Sequence, residues 1–355
     1  MKDVAANSGA MKGGAAEAPP VTVSAVIPTR NRPHLVLNAV ESVRAQTLKD
    51  VEIIVVVDGP DPATVAALEA VEDRRLRIVQ NPASLGPAGA RNAGVQAALG
   101  EWIAFLDDDD SWAPEKLERQ LAAAKASGAK LPVVSCSTSV SIGERRYVWP
   151  QRRPEPGEPI SDYLIDRRSP LSRPGYLATP TIMVPRSLAL AVPMPDYRHF
   201  EDWGWLFRAL DQPGAELVFV DEPLCFVEID EGRASLHSVD DWRQAFEWAR
   251  THRPLMTGNA YAAFLMTKVV GMARREGDWN AVRRLLAEAT RAGDPKMRHY
   301  LMFFGTCVVP SSFHRRVRAA THSDAARTRR WNVSYKHLRA QETGLELVWR
   351  LLLEK

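Results

Sequence analysis

Four consecutive aspartates, Asp107 to Asp110, follow the apolar run IAFL. Four like charges repel one another and resist desolvation, so a buried segment that ends this way needs a cation or a string of hydrogen-bond donors. Asp107 and Asp109 lie two apart, so an irregular turn at a strand end can bring both carboxylates to one hard cation. Mg²⁺ or Mn²⁺ bound by two carboxylates keeps coordination positions for phosphate oxygens, and a cation so placed stabilises a departing diphosphate. Two blander readings exist. Asp110 could cap a helix beginning near Pro114. Asp107, Asp109, Ser111 and Glu118 also match positions 1, 3, 5 and 12 of a calcium loop, but Trp112 stands where that loop requires glycine.

The elements that must position these acids alternate. VTVSAVI (21–27), VEIIVVV (51–57), LRIV (76–79) and EWIAFL (101–106) are apolar enough to be strands covered on both faces. Between them, Pro33 and Pro62 stand where first helical turns begin, a third helix runs through AGARNAGVQAAL, and a fourth follows Pro114. This rhythm predicts an α/β fold with a mostly parallel sheet, flanking helices and right-handed crossovers, its ligands beyond the carboxyl ends of the strands. PTRNRP, Asp58-Gly59-Pro60 and the Asp run then open on one edge. Residues 141–180, rich in Arg, Pro and Gly, read as long loops and a mobile crossing. TIMVP and ELVFV read as strands, HFEDWGWLFRALD as a helix between them, and the chain from 241 onward as mainly helical.

Composition narrows the class. With 355 residues, 45% hydrophobic and 25% charged, the chain is globular, which excludes disorder throughout. Cys136, Cys225 and Cys307 lie far apart in apolar surroundings, as reduced core thiols do, so a reducing, cytoplasmic protein is the expectation. Residues 1–20 read as a flexible tail, and no apolar stretch is long enough to span a bilayer. Charge is unevenly divided. Residues 1–240 hold 25 Lys and Arg against 33 Asp and Glu, net −8, and residues 241–355 hold 21 against 10, net +11. A basic C-terminal region can be a solvated helical face or can meet anionic lipid, a lipid-linked phosphate or nucleic acid.

VSAVIPTRNRP, VEIIVVVDGPDPAT and NPASLGPAGARNAGVQAALGEWIAFLDDDDSWAPEKL, in order over roughly a hundred residues, resemble the inverting family 2 glycosyltransferases of GT-A fold. The resemblance implies a nucleotide-diphosphate sugar donor and a carbohydrate or lipid-linked acceptor. It makes Asp107 and Asp109 the metal-binding DxD pair and Asp108 part of the nucleotide site. It also implies a nucleobase and ribose site at the first two strand ends, Thr29 and Asp58, with Arg91 of the GARN segment nearby. Here Val57 and Pro60 depart from the family's DDGS pattern. HFEDWGW resembles the ED motif that supplies the general base of inverting transfer, with Asp202 first and Glu201 second. A helix N-terminus that favours acids is the plainer reading, while Phe200, Trp203 and Trp205 suit either sugar stacking or a core. His237 in GRASLHS falls where many GT-A enzymes close a segment over the diphosphate, which makes it a candidate third metal ligand, with Arg233 beside it a candidate phosphate partner.

The resulting organisation has a tail (1–20), a nucleotide-sugar half (21–140), an acceptor-side half with mobile loops and the ED motif (141–240), and a helical, basic C-terminal region (241–355). The expected activity is metal-dependent, inverting transfer of a hexosyl type in surface polysaccharide or glycolipid assembly, with peripheral contact at the inner face of the cell membrane and no specific nucleic acid. Two rivals are weaker. A sugar-phosphate nucleotidyltransferase would need glycines where Val26, Ile27 and Pro28 stand, and a non-catalytic binding module would not need both acid pairs.

Overall fold

The computed structural model describes residues 21–142, 145–169, 172–197, 200–229 and 241–308. The sheet begins as expected. Strands β1 (Val23–Thr29), β2 (Val51–Asp58), β3 (Leu76–Asn81) and β4 (Trp102–Phe105) run parallel in the order β3-β2-β1-β4. Along β2, residues 51–58 are all buried, because helices cover both faces. Helix α1 (Pro33–Arg44) and helix α2 (Pro62–Glu69) each begin at a proline, where the missing N–H is no loss. Asp61 caps α2 by accepting from Thr64 N at 3.1 Å. Helix α3 (Gly86–Ala97) packs on the opposite face, and a Cβ at Gly94 would collide with Val26 and Val56. That close approach brings α3, and Arg91 with it, against β1 and β2.

The second half is more ordered than its composition suggests. Strand β5 (Asp110–Trp112) and helix α4 (Lys116–Ser127) follow the acidic run, then come β6 (Leu131–Ile142), β7 (Arg145–Trp149) and helix α5 (Ile160–Ile165). Strand β8 (Met183–Pro185), helices α6 (Arg186–Ala191) and α7 (Glu201–Leu210) and strand β9 (Ala215–Ile229) complete it. The sheet continues from β4 as β8-β6-β9-β5, with β7 antiparallel to β6. The longest ladder, β6 with β9, is parallel, while β8 and β5 pair antiparallel to their neighbours. The expectation of long loops over 141–180 is therefore corrected: β7 and α5 lie within that stretch. Several of its arginines are partnered. Arg152 Nη1 grips the Glu158 carboxylate at 2.8 and 2.7 Å, its guanidinium lies over the Tyr163 ring, and the Tyr163 hydroxyl donates back to Arg152 O.

Helices α8 (Trp242–His252), α9 (Gly258–Ala263), α10 (Val270–Arg275), α11 (Trp279–Ala292) and α12 (Met297–Val308) follow, with a π-helical stretch, Phe264–Val269, joining α9 to α10. Asp241, Thr257 and Asp278 cap three of them. Their apolar faces share one continuous cluster with α7 and the α3 face of the sheet, from Val26 and Ile54 to Trp248, Tyr261 and Leu285. Among the described residues no helix is long and apolar enough to cross a membrane, and all three cysteines are free thiols.

Candidate active site

Strand β4 ends at Phe105, and Leu106 N still donates to Val26 O at 3.0 Å, so the chain leaves the sheet at Asp107. A tight turn follows, closed by Asp110 N donating to Asp107 O at 3.1 Å, and β5 then pairs with β9. Asp110 thus lies on a strand and does not cap α4. Donors answer much of the charge. Asp108 accepts from Thr29 Oγ1 at 2.8 Å and from Arg32 Nη1 at 2.9 Å, and Arg32 lies 3.7 Å from Asp109. Burial pushes the Asp108 carboxyl above the ordinary value, the Thr29 and Arg32 contacts oppose this, and the Asp109 charge adds to it. The side chains of Asp107 and Asp109 are 29% and 11% exposed, that of Asp108 only 7%. Thr29 and Asp108, expected at the nucleotide, are engaged with each other here.

Arg91 pairs with Asp107 and lies within the field of the ED acids. It is buried in α3 and its Nη2 donates to Asp107 Oδ1 at 2.5 Å. Burial alone would weaken its hold on the proton; Asp107 first, then Glu201 and Asp202, reverse this and raise its pKa above the usual arginine value. One guanidinium therefore feels the end of β4 and the start of α7 together. Its Nε and Nη1 have no acceptor among the described residues.

Asp58, expected near the nucleobase and ribose, has both carboxylate oxygens engaged within the fold. Oδ1 accepts from Asn81 Nδ2 at 2.8 Å and Leu85 N at 2.9 Å, Oδ2 from Ser84 Oγ at 2.7 Å and Gly86 N at 3.0 Å. Burial raises its pKa, but these four donors outweigh it and hold the carboxyl below the ordinary range. It braces the loop that delivers α3. Gly59 beside it has φ of 102°, and a Cβ there would sit 3.3 Å from Ser84 N, so only glycine fits the turn. Asp61 was not singled out by sequence. Besides capping α2 it accepts from the backbone N–H of Asn31, a residue at φ of 54°, which fixes the loop carrying Arg30 and Arg32. The D-P-A-T spacing is the signal that would have revealed it.

At the start of α7, Phe200 stands in the left-handed region at φ of 58°, a costly conformation for an aromatic residue. Packing over-determines it: its ring lies 5.0 to 5.3 Å from those of Trp203, Trp248 and Phe264. Trp203 and Trp205 are buried, and Trp205 Nε1 donates to Val192 O at 2.7 Å, so these rings are core and the sugar-stacking alternative does not hold for them. Asp202 is buried, and its Oδ1 accepts from Trp203 N at 2.8 Å. Tyr176, for which the sequence offers no signal, lies in the same field. Burial pushes its phenol up, and the charges of Asp110, Asp202 and Asp107 push it further.

The cation implied by the resemblance suits Asp107 and Asp109, which are hard oxygen donors and partly exposed. Among the described residues there is no group of three or more His, Cys, Asp or Glu able to enclose a metal, so such a cation would share its shell with phosphate and water. His237 and Arg233 lie outside the described residues.

Residues 24–188 match the model of glycosyl transferase family 2. The chain is 41% identical over 111 residues to the succinoglycan biosynthesis protein ExoO of Rhizobium meliloti (strain 1021), covering 31% of this chain and 32% of ExoO. It is 36% identical over 100 residues to the UDP-Glc:alpha-D-GlcNAc-diphosphoundecaprenol beta-1,3-glucosyltransferase WfgD of Escherichia coli, covering 28% of this chain and 40% of WfgD. The matches thus span less than half the length of these relatives. The fold resembles that of S. aureus TarS 1-349 in complex with UDP-GlcNAc, at a TM-score of 0.50 and 17% identity, covering 93% of this chain and 92% of TarS 1-349. The parallel strand ends, the Asp run and the GARN helix all lie inside the residues that match the glycosyl transferase family 2 model, and the fold is that of the GT-A glycosyltransferases.

Proposed function

We propose that the protein is a metal-dependent, inverting glycosyltransferase that moves a sugar from a nucleotide-diphosphate donor to an acceptor hydroxyl in polysaccharide or glycolipid assembly. The observation that carries this reading is Arg91, whose buried guanidinium ion-pairs with Asp107 while the charges of Glu201 and Asp202 also act on it. The diphosphate end and the acceptor end of a displacement would then lie across one small volume. Asp107 and Asp109 would hold Mn²⁺ or Mg²⁺, which when bound would neutralise charge on the leaving diphosphate. Asp202, its Oδ1 oriented by the Trp203 N–H, would take the proton of the acceptor hydroxyl as that oxygen attacks the anomeric carbon, with Glu201 the second choice. Arg91 would keep the acids apart and turn its remaining N–H groups to donor oxygens. A lipid-linked acceptor, as WfgD's name states for that protein, would place the enzyme at the cytoplasmic face of a membrane.

Thermal unfolding with UDP, GDP, dTDP or CDP, each with Mn²⁺, Mg²⁺ or EDTA, tests the reading on wild type and Asp109→Asn. One nucleotide should stabilise wild type only with metal, by about 2.7 kcal/mol at a hundredfold excess over Kd, and should leave Asp109→Asn unmoved. Stabilisation indifferent to EDTA would remove the metal, and no stabilisation by any nucleotide would favour a module without turnover.

A further inference from the structure

Each acid proposed for the cation is met by a guanidinium. Arg91 pairs with Asp107, and Arg32 faces both Asp108 and Asp109. The two contacts of Arg32 differ in kind. Its Nη1 donates to Asp108 Oδ1 at 2.9 Å, a hydrogen bond, whereas the same nitrogen stands 3.7 Å from Asp109 Oδ2, too far for a hydrogen bond and coupled by charge alone. A cation that takes Asp109 therefore breaks no hydrogen bond between that acid and Arg32. The root of Arg32 is fixed. Asn31 before it stands at φ of 54° with its N–H donating to Asp61 Oδ2 at 2.6 Å, and Pro33 after it opens α1. A non-glycine residue keeps a left-handed conformation only where its surroundings over-determine it. Loop and hydrogen bond together hold the Arg32 charge beside Asp109.

We propose that Arg32 is a counter-cation built into the acidic run, which competes with a divalent metal for Asp109 and so keeps the metal weakly held in the protein without donor. The inference rests on the metal reading above and adds a residue to it. Arg32 stays hydrogen-bonded to Asp108, and its charge then stays next to the metal position. The competition has a size. A hard cation lies about 2.1 Å from its oxygen, so on Asp109 Oδ2 it would be at most about 6 Å from Arg32 Nη1. Even at the dielectric of water, a double and a single charge about 6 Å apart repel enough to weaken binding about tenfold. A donor diphosphate on the same cation would answer the Arg32 charge, so metal and donor would bind more tightly together than either does alone.

The test is titration of Mn²⁺ into the full chain without nucleotide at about 0.1 M salt, the free ion read by its electron paramagnetic resonance signal. Arg32→Gln should bind Mn²⁺ about tenfold more tightly than wild type. Arg32→Lys, which keeps the charge, should stay within about threefold of wild type, and Asp109→Asn should lose binding. An arginine that only aligned the acids would give the opposite order, with Arg32→Gln the weaker binder. A second readout uses no metal. In EDTA, Asp109→Asn should raise Tm by roughly 2 °C more in the Arg32→Gln background than in wild type, because the acid it removes has there lost the Arg32 charge. If Arg32→Gln does not fold, Arg32→Met, which keeps the apolar stem, replaces it in both measurements. Wild-type Mn²⁺ binding that the neutral variant leaves unchanged or weakens overturns this inference and leaves the metal reading standing, as does an equal Tm change in the two backgrounds. No Mn²⁺ binding by either protein overturns both.

Discussion

Asp58→Asn separates a buried brace from a ligand contact, because the two roles respond oppositely to loss of charge at constant shape. Each carboxylate oxygen accepts two hydrogen bonds, Oδ1 from Asn81 and Leu85 N, Oδ2 from Ser84 and Gly86 N. Whichever oxygen becomes NH₂ then faces donors, so two hydrogen bonds are lost and the other two lose their charge. Hydrogen bonds to a charged group contribute about 1.5–3 kcal/mol, neutral ones about 0.5–1.5. Ser84 and Leu85 are exposed and recover part of this from water, whereas Asn81 is buried and does not. The expected loss is about 2–4 kcal/mol, read as a lower urea midpoint at unchanged m-value and a Tm fall of roughly 5 °C or more. The pH dependence gives a second check. The folded pKa of Asp58 is depressed below its unfolded value of about 3.9, so its contribution is whole above that pH and disappears as pH falls through the folded value. The gap between wild type and variant should therefore shrink toward acid. A loss under about 0.5 kcal/mol, or a gap that does not change with pH, would refute the reasoning.

Asp202→Asn should keep metal-dependent stabilisation by nucleotide while transfer falls about 10²- to 10⁴-fold; unchanged turnover would remove Asp202 from the mechanism. Lys116 is fully buried against the Trp112 ring, with Gln120 Oε1 at 2.8 Å, and burial lowers its pKa to about 8. Between about pH 8 and 10 the unfolded chain holds a proton that the folded one releases, so wild type should gain stability there relative to Lys116→Met. At pH 7 that variant should stay within about 1 kcal/mol of wild type, and a loss above about 3 kcal/mol in urea unfolding would refute this. Asp166 accepts from His299, Arg298 and Asn259, tying the end of α5 to α9 and α12. Asp166→Ala should cost about 3–5 kcal/mol and weaken amide protection in α12, whereas full protection would place the anchor elsewhere.

The first four strands and their helices were legible because periodicity and punctuation agree there. Unbroken β-branched runs can only be strands covered on both faces, and Pro33 and Pro62 mark where the helices begin. Parallel pairing then required PTRN, Asp58 and the Asp run to share an edge, as they do. Strands β6 and β7 were not legible. LPVVSCSTSVSI interleaves its apolar residues with serines and threonines and shows no unbroken apolar run, yet Ser135 is buried, with its Oγ 2.7 Å from Thr181 Oγ1. Such hydroxyls are tolerable inside only when a partner distant in sequence satisfies them, and no local pattern announces that partner. The site divides the same way. The residue types and spacing in the sequence determined that acids gather at one sheet edge, since motif chemistry is local. Tertiary structure alone decided which of those acids are held by partners within the fold and which are left partly exposed. That Asp58 is saturated by residues 81–86, that Asp108 is held by Thr29 and Arg32, and that Arg91 pairs with Asp107 are contacts between segments distant in sequence. Burial and partner geometry set the charge and direction of each carboxylate, and both arise only once the sheet and helices have packed.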